Sequence, residues 1–535
     1  MPSFDLRDEP WIPVLRLDGT AELLGLRRVL DEAHRLRAMH DPFPTVEFGL
    51  YRLLVALLLD IAAPDSLAAL GGLLRQGRLD PAALDAYFTR WADRFDLFHP
   101  RYPFLQTAAM AGDAAKPLAG LFAAIPSGTN AVHFHHARED DFGVCSAMAA
   151  RLLTTLAPFM TAGGAGLSPS INGAPPWYVL VQGQTLFETL CLNLPVLEIP
   201  TAAGTAPPAW RNPEPVEVRR YRQTSVPEAF TWRPRRLRLL PEAGPGACAV
   251  TGAAGDVLIR QMQFAPGAAC DFTWFDPNVA YRVTGDKVTP LRPQEGRALW
   301  RDTGPLALLR QQDFTSARGN ISFERPLVVT QLETLISNRL VPKETKCDLA
   351  VYGMRTDMKM KIFEWQHETL HLPDAIARRG ALGGAAQRAM ELAEGVAYAL
   401  KSAIKHAYPR EGKGNAAAFN TRITEAQRDF WARVRGPYEA LLHQLATLPE
   451  AEDAYAAALV AGTAAWQAAL GDTGRRVLGE AIDDLDSDSD ALKRVVEARQ
   501  QFRNALFALF HPEQARGRGR KASPGKEAPH HDDAE

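Results

Sequence analysis

Apolar positions change their spacing several times along this chain. Near the start, "WIPVLRL" alternates as a half-buried strand does, and "DGT" after it supplies turn residues. Two stretches then repeat at helical spacing, "TVEFGLYRLLVALLLDI" and "SLAALGGLLRQG". From "PWYVLVQG" onward, short strand-like runs alternate with Pro and Gly clusters. One such pair, "CDLAVYGM" and "IFEW", flanks the polar tip "RTDMKMK" and predicts a hairpin over Tyr352–Trp365. The tip carries three cations and two flexible Met side chains, which suits either a solvated turn or a finger that enters something anionic.

The texture shifts near Pro373. Beyond it, apolar residues recur at helical spacing in four segments. Leu392, Val396, Ala399 and Ala403 mark the first, and Ile423, Ala426, Phe430 and Val434 the second. The run "AEDAYAAALVAGTAAWQAAL" is the third, and Leu492, Val495, Phe502, Leu506 and Leu509 mark the fourth. Connections are expected at "YPREGKGN", "ATLPE" and "GDTGRR", giving a four-helix bundle. Pro437 is expected to kink or split the second helix. The expected fold class is α+β: a large, irregular mixed α/β domain over 1–370, a four-helix bundle over 371–512, and a disordered tail over 513–535.

Composition narrows the function. A chain of 535 residues exceeds one core. A net charge of −2 requires any nucleic-acid surface to come from local clustering. Five scattered cysteines, Cys145, Cys191, Cys248, Cys270 and Cys347, form no CxxC and point to a reduced, cytoplasmic protein. The N-terminus has no apolar signal segment. The most apolar run, "FGLYRLLVALLLDIAA", carries Arg52 and is too short to span a bilayer, so it is read as a buried helix.

Candidate chemistry is sparse. "HFHHAREDD" brings together His133, His135, His136, Asp140 and Asp141, ligand types for a divalent metal, and supports a rival reading as a metal-dependent nuclease or hydrolase. With no partner cluster, a polar surface loop is the favoured reading of it. No phosphate loop, nucleophile elbow, HExxH or dinucleotide fingerprint is present, so nothing argues for an enzyme, and no cofactor or metal is expected. The bare backbone of Gly163, Gly164, Ala165 and Gly166 suits close approach to a phosphate or a base edge, or merely a flexible turn. "RRYRQTSVPEAFTWRPRRLRLLPE" interleaves arginines with Tyr221, Phe230 and Trp232, and reads either as a solvated strand or as a phosphate-tracking stripe. Lys401, Lys405, Arg410 and Lys413 cluster at a helix end, where they suit non-specific DNA contact or simply complement the helix dipole.

Several stretches, taken in order, resemble the large subunit of the type I-E CRISPR Cascade complex, the CasA family. "FDLRDEPWIPV" is similar to its opening signature, and "RFDLFHPRYPFLQ" to its aromatic-proline segment. "IPSGTNAVHF" is similar to the start of its long first-domain loop. Gly163–Gly166 fall at its glycine loop, and "YGMRTDMKMKIFEW" at its wedge hairpin. The resemblance covers about residues 3 to 510 and implies a non-catalytic, DNA-reading subunit of an RNA-guided antiviral complex. It implies recognition of a protospacer-adjacent motif through the minor groove, duplex opening that begins an R-loop, and a platform for a helicase-nuclease. The implied partners are other Cascade subunits, guide RNA, double-stranded target DNA and that effector.

Residue by residue, the resemblance implies DNA contact by Gly163, Gly164, Ala165 and Gly166. It implies a wedge region of Arg355, Thr356, Asp357, Met358, Lys359 and Lys361. Ser127, Gly128, Thr129 and Asn130 then fall on a loop facing nucleic acid or partner subunits. Asp357 and Met358 stand where the family has Asn and Gln, so Met358 or Lys359 is the expected inserting residue. Arg260 is the candidate where some relatives carry a minor-groove lysine. Of a Cys-rich knuckle in some relatives this chain keeps only Cys248, so no structural zinc is expected.

Overall fold

The N-terminal alternation folds as a strand. In a computed structural model of the chain, β1 (Ile12–Arg16) lies between β2 (Ala21–Leu24) and β3 (Leu36–Met39), antiparallel to both. Gly19 turns β1 into β2 with a φ of +87°, a conformation glycine adopts without penalty. The structure describes residues 2–108, 110, 114–125, 142–159, 170–212, 220–308, 321–342, 345, 348–356, 362–370, 380–408, 416–448, 452–485 and 489–514.

Contacts divide the chain into two units, Met1–Leu372 and Pro373–Glu535. In the first unit the described strands make five small sheets of two or three strands each. The apolar run with Arg52 is α1 (Pro44–Ala62), started by Pro44 and buried from Thr45 to Leu58 with few exceptions. Among the described residues, no single helix is long and apolar enough to cross a membrane. A second buried helix, α2 (Ser146–Thr154), packs against α1. Three strands matter most below. β4 (Tyr178–Gln182) is one; β5 (Arg235–Ala247) and β6 (Ala254–Pro266) form a long antiparallel hairpin elsewhere in the unit. The others are β7 (Asp348–Thr356) and β8 (Ile362–Leu370), which pair antiparallel and complete the sheet β8–β7–β4.

The arginine stripe is not an open basic face. On β5, Arg235 points inward with Leu237 and Leu239, is buried, and donates to the Pro234 carbonyl. Arg236 and Arg238 lie on the other face, where they donate to the carbonyls of Pro266 and His99. Phe230 and Trp232 are core residues rather than stacking platforms. The aromatic interleaving is thus a packing pattern.

The second unit holds four helices among the described residues: α3 (Gly380–Ala407), α4 (Ala416–Ala446), α5 (Glu452–Ile482) and α6 (Ser489–Phe510). Three expectations need correction. Pro437 does not split α4, which runs unbroken through it. The missing backbone donor costs about 3 kcal/mol in a helix interior, but Phe430, Val434, Tyr438, Leu441 and Leu445 bury the helix on both sides of it. "GDTGRR" is no connection, because α5 continues to Ile482. Its glycine is a packing device: a Cβ on Gly474 would meet the Phe502 ring at 2.7 Å. The chain turns later, in the acidic stretch after Ile482. Finally, Leu492 is half exposed; the buried stripe of α6 is Ala491, Val495, Ala498, Phe502 and Leu506. Residues 515–535, most of the expected tail, lie outside the described residues.

Candidate nucleic-acid interface

The hairpin stands on an aromatic base. In register, Tyr178 of β4 faces Tyr352 of β7, and Tyr352 faces His367 of β8. The Tyr352 ring stacks on His367 at 4.3 Å and lies 5.3 Å from the Phe48 ring of α1. Phe48 stacks on Tyr178 at 4.6 Å, and Phe159 meets Tyr178 edge-on at 5.5 Å. Such pairs add about 0.5–1.5 kcal/mol each beyond burial. Next along β7, Gly353 lies flat against Trp177: a Cβ there would come within 2.4 Å of the indole and 2.8 Å of Pro293. Gly353→Val is expected to displace the strand and lower stability by about 1–3 kcal/mol, measurable by chemical denaturation; an unchanged midpoint would remove Gly353 from the account.

From Tyr352 the strand runs four residues further to Thr356, roughly 13 Å at strand spacing. Arg355 is engaged at home: its Nε donates to Glu364 at 2.8 Å, Glu295 lies 3.6 Å away, and its guanidinium covers Phe363 at 4.5 Å. It therefore braces the hairpin. The register shifts between Arg355 and Thr356, leaving Phe363 as an extra residue on β8. Bulges of this kind increase local twist. Trp365, on the outgoing strand, is 39% exposed. Asp357, Met358, Lys359 and Lys361 lie outside the described residues.

The glycine loop, Gly163, Gly164, Ala165 and Gly166, also lies outside them, but both flanks are described. They converge on Tyr178. Its hydroxyl donates to the Pro158 carbonyl at 2.8 Å on the entering side and accepts from Asn172 Nδ2 at 3.1 Å on the leaving side. Asn172 also donates to Asp276, and Asp276 forms a buried ion pair with Arg52. Arg52 Nη1 reaches Asp276 at 2.9 Å and Asn278 at 3.0 Å, and its guanidinium lies over Phe230 at 3.9 Å. Two residues before Phe48's neighbour Gly49, Glu47 accepts a 2.6 Å hydrogen bond from the Tyr352 hydroxyl. Burial pushes its carboxyl up to about 7, and the Asp41 charge adds to the shift.

The sequence singled out the hairpin and the glycines but not this scaffold. Of its members, only Arg52 carried a signal: one arginine inside an apolar helix requires a buried partner. Arg260 is half exposed and paired with Glu242 at 2.8 Å across β5 and β6. Lys401 and Lys405 are exposed one turn apart on α3, while Arg410 and Lys413 lie outside the described residues. So do Ser127, Gly128, Thr129 and Asn130, together with His133, His135, His136, Asp140 and Asp141. Cys248 is buried beside Cys145, within side-chain hydrogen-bonding reach. Among the described residues, no group of three or more His, Cys, Asp or Glu is placed to hold a metal.

These features define a class: a mixed α/β unit that projects a braced hairpin from a buried aromatic base, followed by a four-helix unit. Residues 5–477 match the family model described as CRISPR-associated protein Cse1. The chain belongs to that family, also called CasA. CRISPR-associated protein CasA/Cse1 of Thermus thermophilus is 30% identical over 422 residues, 76% of this chain and 77% of the relative. The fold matches Cse1 of Acidimicrobium ferrooxidans with a TM-score of 0.70 and 26% identity, over 95% of this chain and 98% of that one. It also matches a chain of a CRISPR RNA-guided surveillance complex with a TM-score of 0.73 and 20% identity, over 94% of this chain and all of that one. Neither the fold nor these relatives favours the metal-dependent hydrolase reading.

Proposed function

We propose that this chain is the non-catalytic large subunit of an RNA-guided surveillance complex, assembled with guide RNA and the other Cascade subunits. In this reading it recognises a short motif in double-stranded DNA from the minor-groove side. It then starts to part the duplex, and it offers a surface to a helicase-nuclease. The observation that carries it is the shared footing of two elements. The hairpin and both flanks of the glycine segment are tied to one tyrosine pair, Tyr178 and Tyr352.

That arrangement suits the work. Small residues bring backbone amides close to base edges, and the minor groove offers a degenerate set of acceptors to them. A side chain pushed between base steps costs a few kcal/mol per step. Guide–target pairing roughly replaces the DNA pairing lost, so the wedge has only to start the opening. Met358 supplies an apolar inserting group, and Lys359 and Lys361 supply charge for flanking phosphates. Trp365 adds an exposed ring on the outgoing strand. Arg355, already paired with Glu364, serves the hairpin's stiffness rather than DNA.

The test is duplex opening by the reconstituted complex. Met358→Ala is expected to slow opening of motif-flanked DNA by about tenfold, reflecting loss of a wedge contact, while assembly and guide loading are unchanged. The isolated chain should bind duplex DNA weakly, with affinity falling steeply as salt rises. Opening at the parent rate by the variant would refute the wedge role.

A further inference from the structure

A second, unrelated feature of the first unit is a cavity of about 250 Å³ lined by Arg94, Arg101, Tyr102, Thr107, Trp210 and Arg233, among others. None of its lining residues belongs to the hairpin or to the Tyr178 scaffold. Three guanidiniums meet there, and among the described residues no acidic side chain lines it. Arg94 lies face-on over the Tyr102 ring at 3.5 Å, and Arg101 approaches the same ring at 5.5 Å. Asp93 comes within 3.3 Å of Arg94 Nε, but Arg94 Nη1 is buried with no hydrogen-bond partner among the described residues. Thr107 is 3% exposed, and its hydroxyl is likewise buried and unpartnered. Burial pulls the Arg233 guanidinium down to about 10, and Tyr221 and Glu228 offset this only in part.

The walls are built rather than adaptable. Phe104 and Trp210 stack at 6.1 Å, and the Trp210 indole donates to the Tyr87 hydroxyl, which donates to Asp60. Leu105 sits in the left-handed region at φ +55°. For a residue other than glycine that costs of order 1–3 kcal/mol. The turn is held there by Gln106, which donates to the Leu97 carbonyl at 2.7 Å and accepts from the Leu239 amide at 2.9 Å. Held this way, the turn keeps Thr107 on the cavity wall.

Unpaired buried donors are costly unless something accepts from them. Three guanidiniums against the two nearby carboxylates of Asp93 and Glu228 leave the site net positive, with Arg94 Nη1 still unmet, which favours an anion, and their planar forks match phosphate oxygens. The cavity lies a little below the roughly 300–1,000 Å³ of small-molecule sites, which suits a phosphate with its sugar. The Tyr102 and Trp210 rings are apolar surface for what the phosphate carries. We infer that this cavity is a phosphate-ester site of nucleotide size, with Arg94, Arg101, Arg233 and Thr107 as phosphate donors. The ester is supplied either by a free nucleotide or by the phosphorylated end of a polynucleotide.

The test is calorimetric titration of the full chain at low salt. The probes are inorganic phosphate, adenosine 5′-monophosphate, adenosine, and a dinucleotide with a 5′-phosphate. Saturable binding of the monophosphate and none of adenosine is the expected result. A dinucleotide binding about tenfold or more tighter, or 1.4 kcal/mol, identifies the polynucleotide end as the source; equal affinity identifies the free nucleotide. Arg233→Gln and Arg101→Gln should each weaken binding about tenfold, the scale of one charge-assisted contact. Thr107→Val removes an unpartnered buried hydroxyl at nearly constant shape. It should therefore keep or raise the melting temperature while weakening the monophosphate severalfold, which separates lost binding from lost folding. Absence of saturable binding by every phosphate probe overturns the inference. So does adenosine binding as tightly as its monophosphate, or unchanged affinity in both Thr107→Val and Arg101→Gln.

Discussion

Asp276→Ala is expected to lower the stability of the first unit by about 3–5 kcal/mol, the cost of leaving a buried charge without its partner. Arg52 lies in the middle of α1 with a side chain only 3% exposed, and Asp276 is wholly buried. Hydrogen bonds and the Arg52 charge hold the Asp276 carboxyl below the usual carboxylate range, although burial itself acts in the opposite direction. Removing the carboxylate strands the guanidinium among Phe48, Tyr178 and Phe230. It also takes an acceptor from Asn172, and through Asn172 loosens Tyr178. Hydrogen exchange of the Val179 and Val181 amides reads the effect locally, and should quicken by about a hundredfold or more, since each 1.4 kcal/mol is a factor of ten. Replacing both partners, Arg52→Met with Asp276→Leu, should restore much of the loss, because buried pairs often exchange with apolar residues at little net cost. A change below about 1 kcal/mol in Asp276→Ala, the scale of an exposed ion pair, would show that the network does not hold the strand.

The second large effect is on pH. Glu47 has a folded-state pKa of about 7, above its ordinary 4.5, chiefly through burial. Between those values the folded chain binds a proton that the unfolded chain has released. Its contribution is therefore complete below pH 4.5 and is lost as pH rises through 7. The loss amounts to about 3 kcal/mol at most. Asp41 acts in the same direction: burial raises it despite Arg151 at 3.0 Å. Asp276, whose pKa is lowered, acts oppositely and only in more acid solution. Glu47→Gln keeps the acceptor for Tyr352 but cannot ionise. Denaturation at pH 4.5, 5.5, 6.5 and 7.5 should show a falling profile for the parent and a flatter one for the variant. Identical slopes would mean that Glu47 is already ionised in the folded state.

Much of the fold could be read from spacing. The alternation of "WIPVLRL", the apolar run of α1 and the "CDLAVYGM"–"IFEW" pair became β1, a buried helix and the β7–β8 hairpin, because each pattern had only one element that would bury it. The errors came where a residue's usual local meaning yielded to packing. Gly474 reads as a helix breaker, yet in α5 it makes room for the Phe502 ring. Pro437 reads as a kink or a split, yet with apolar contacts on both sides α4 runs unbroken through it. The arginines of β5 read as a charged face, yet they are spent on the backbone carbonyls of Pro234, Pro266 and His99. The site was legible only at its rim. Tyr178 and Asn172, Asp276, and Tyr352 come from three separate regions of the chain, and no local pattern announces that they meet. The arginine cavity is of the same kind, assembled from positions 94 to 108, 209 to 212 and 233.

One phenol, then, anchors both margins of the glycine segment while its own backbone is locked into the ladder beneath the hairpin. Where the segment is moored is thereby decoupled from what the segment contains. Substitutions among its small residues leave both moorings, the Pro158 carbonyl and Asn172, untouched. A change at Tyr178, by contrast, would disturb both margins and the base of the hairpin together.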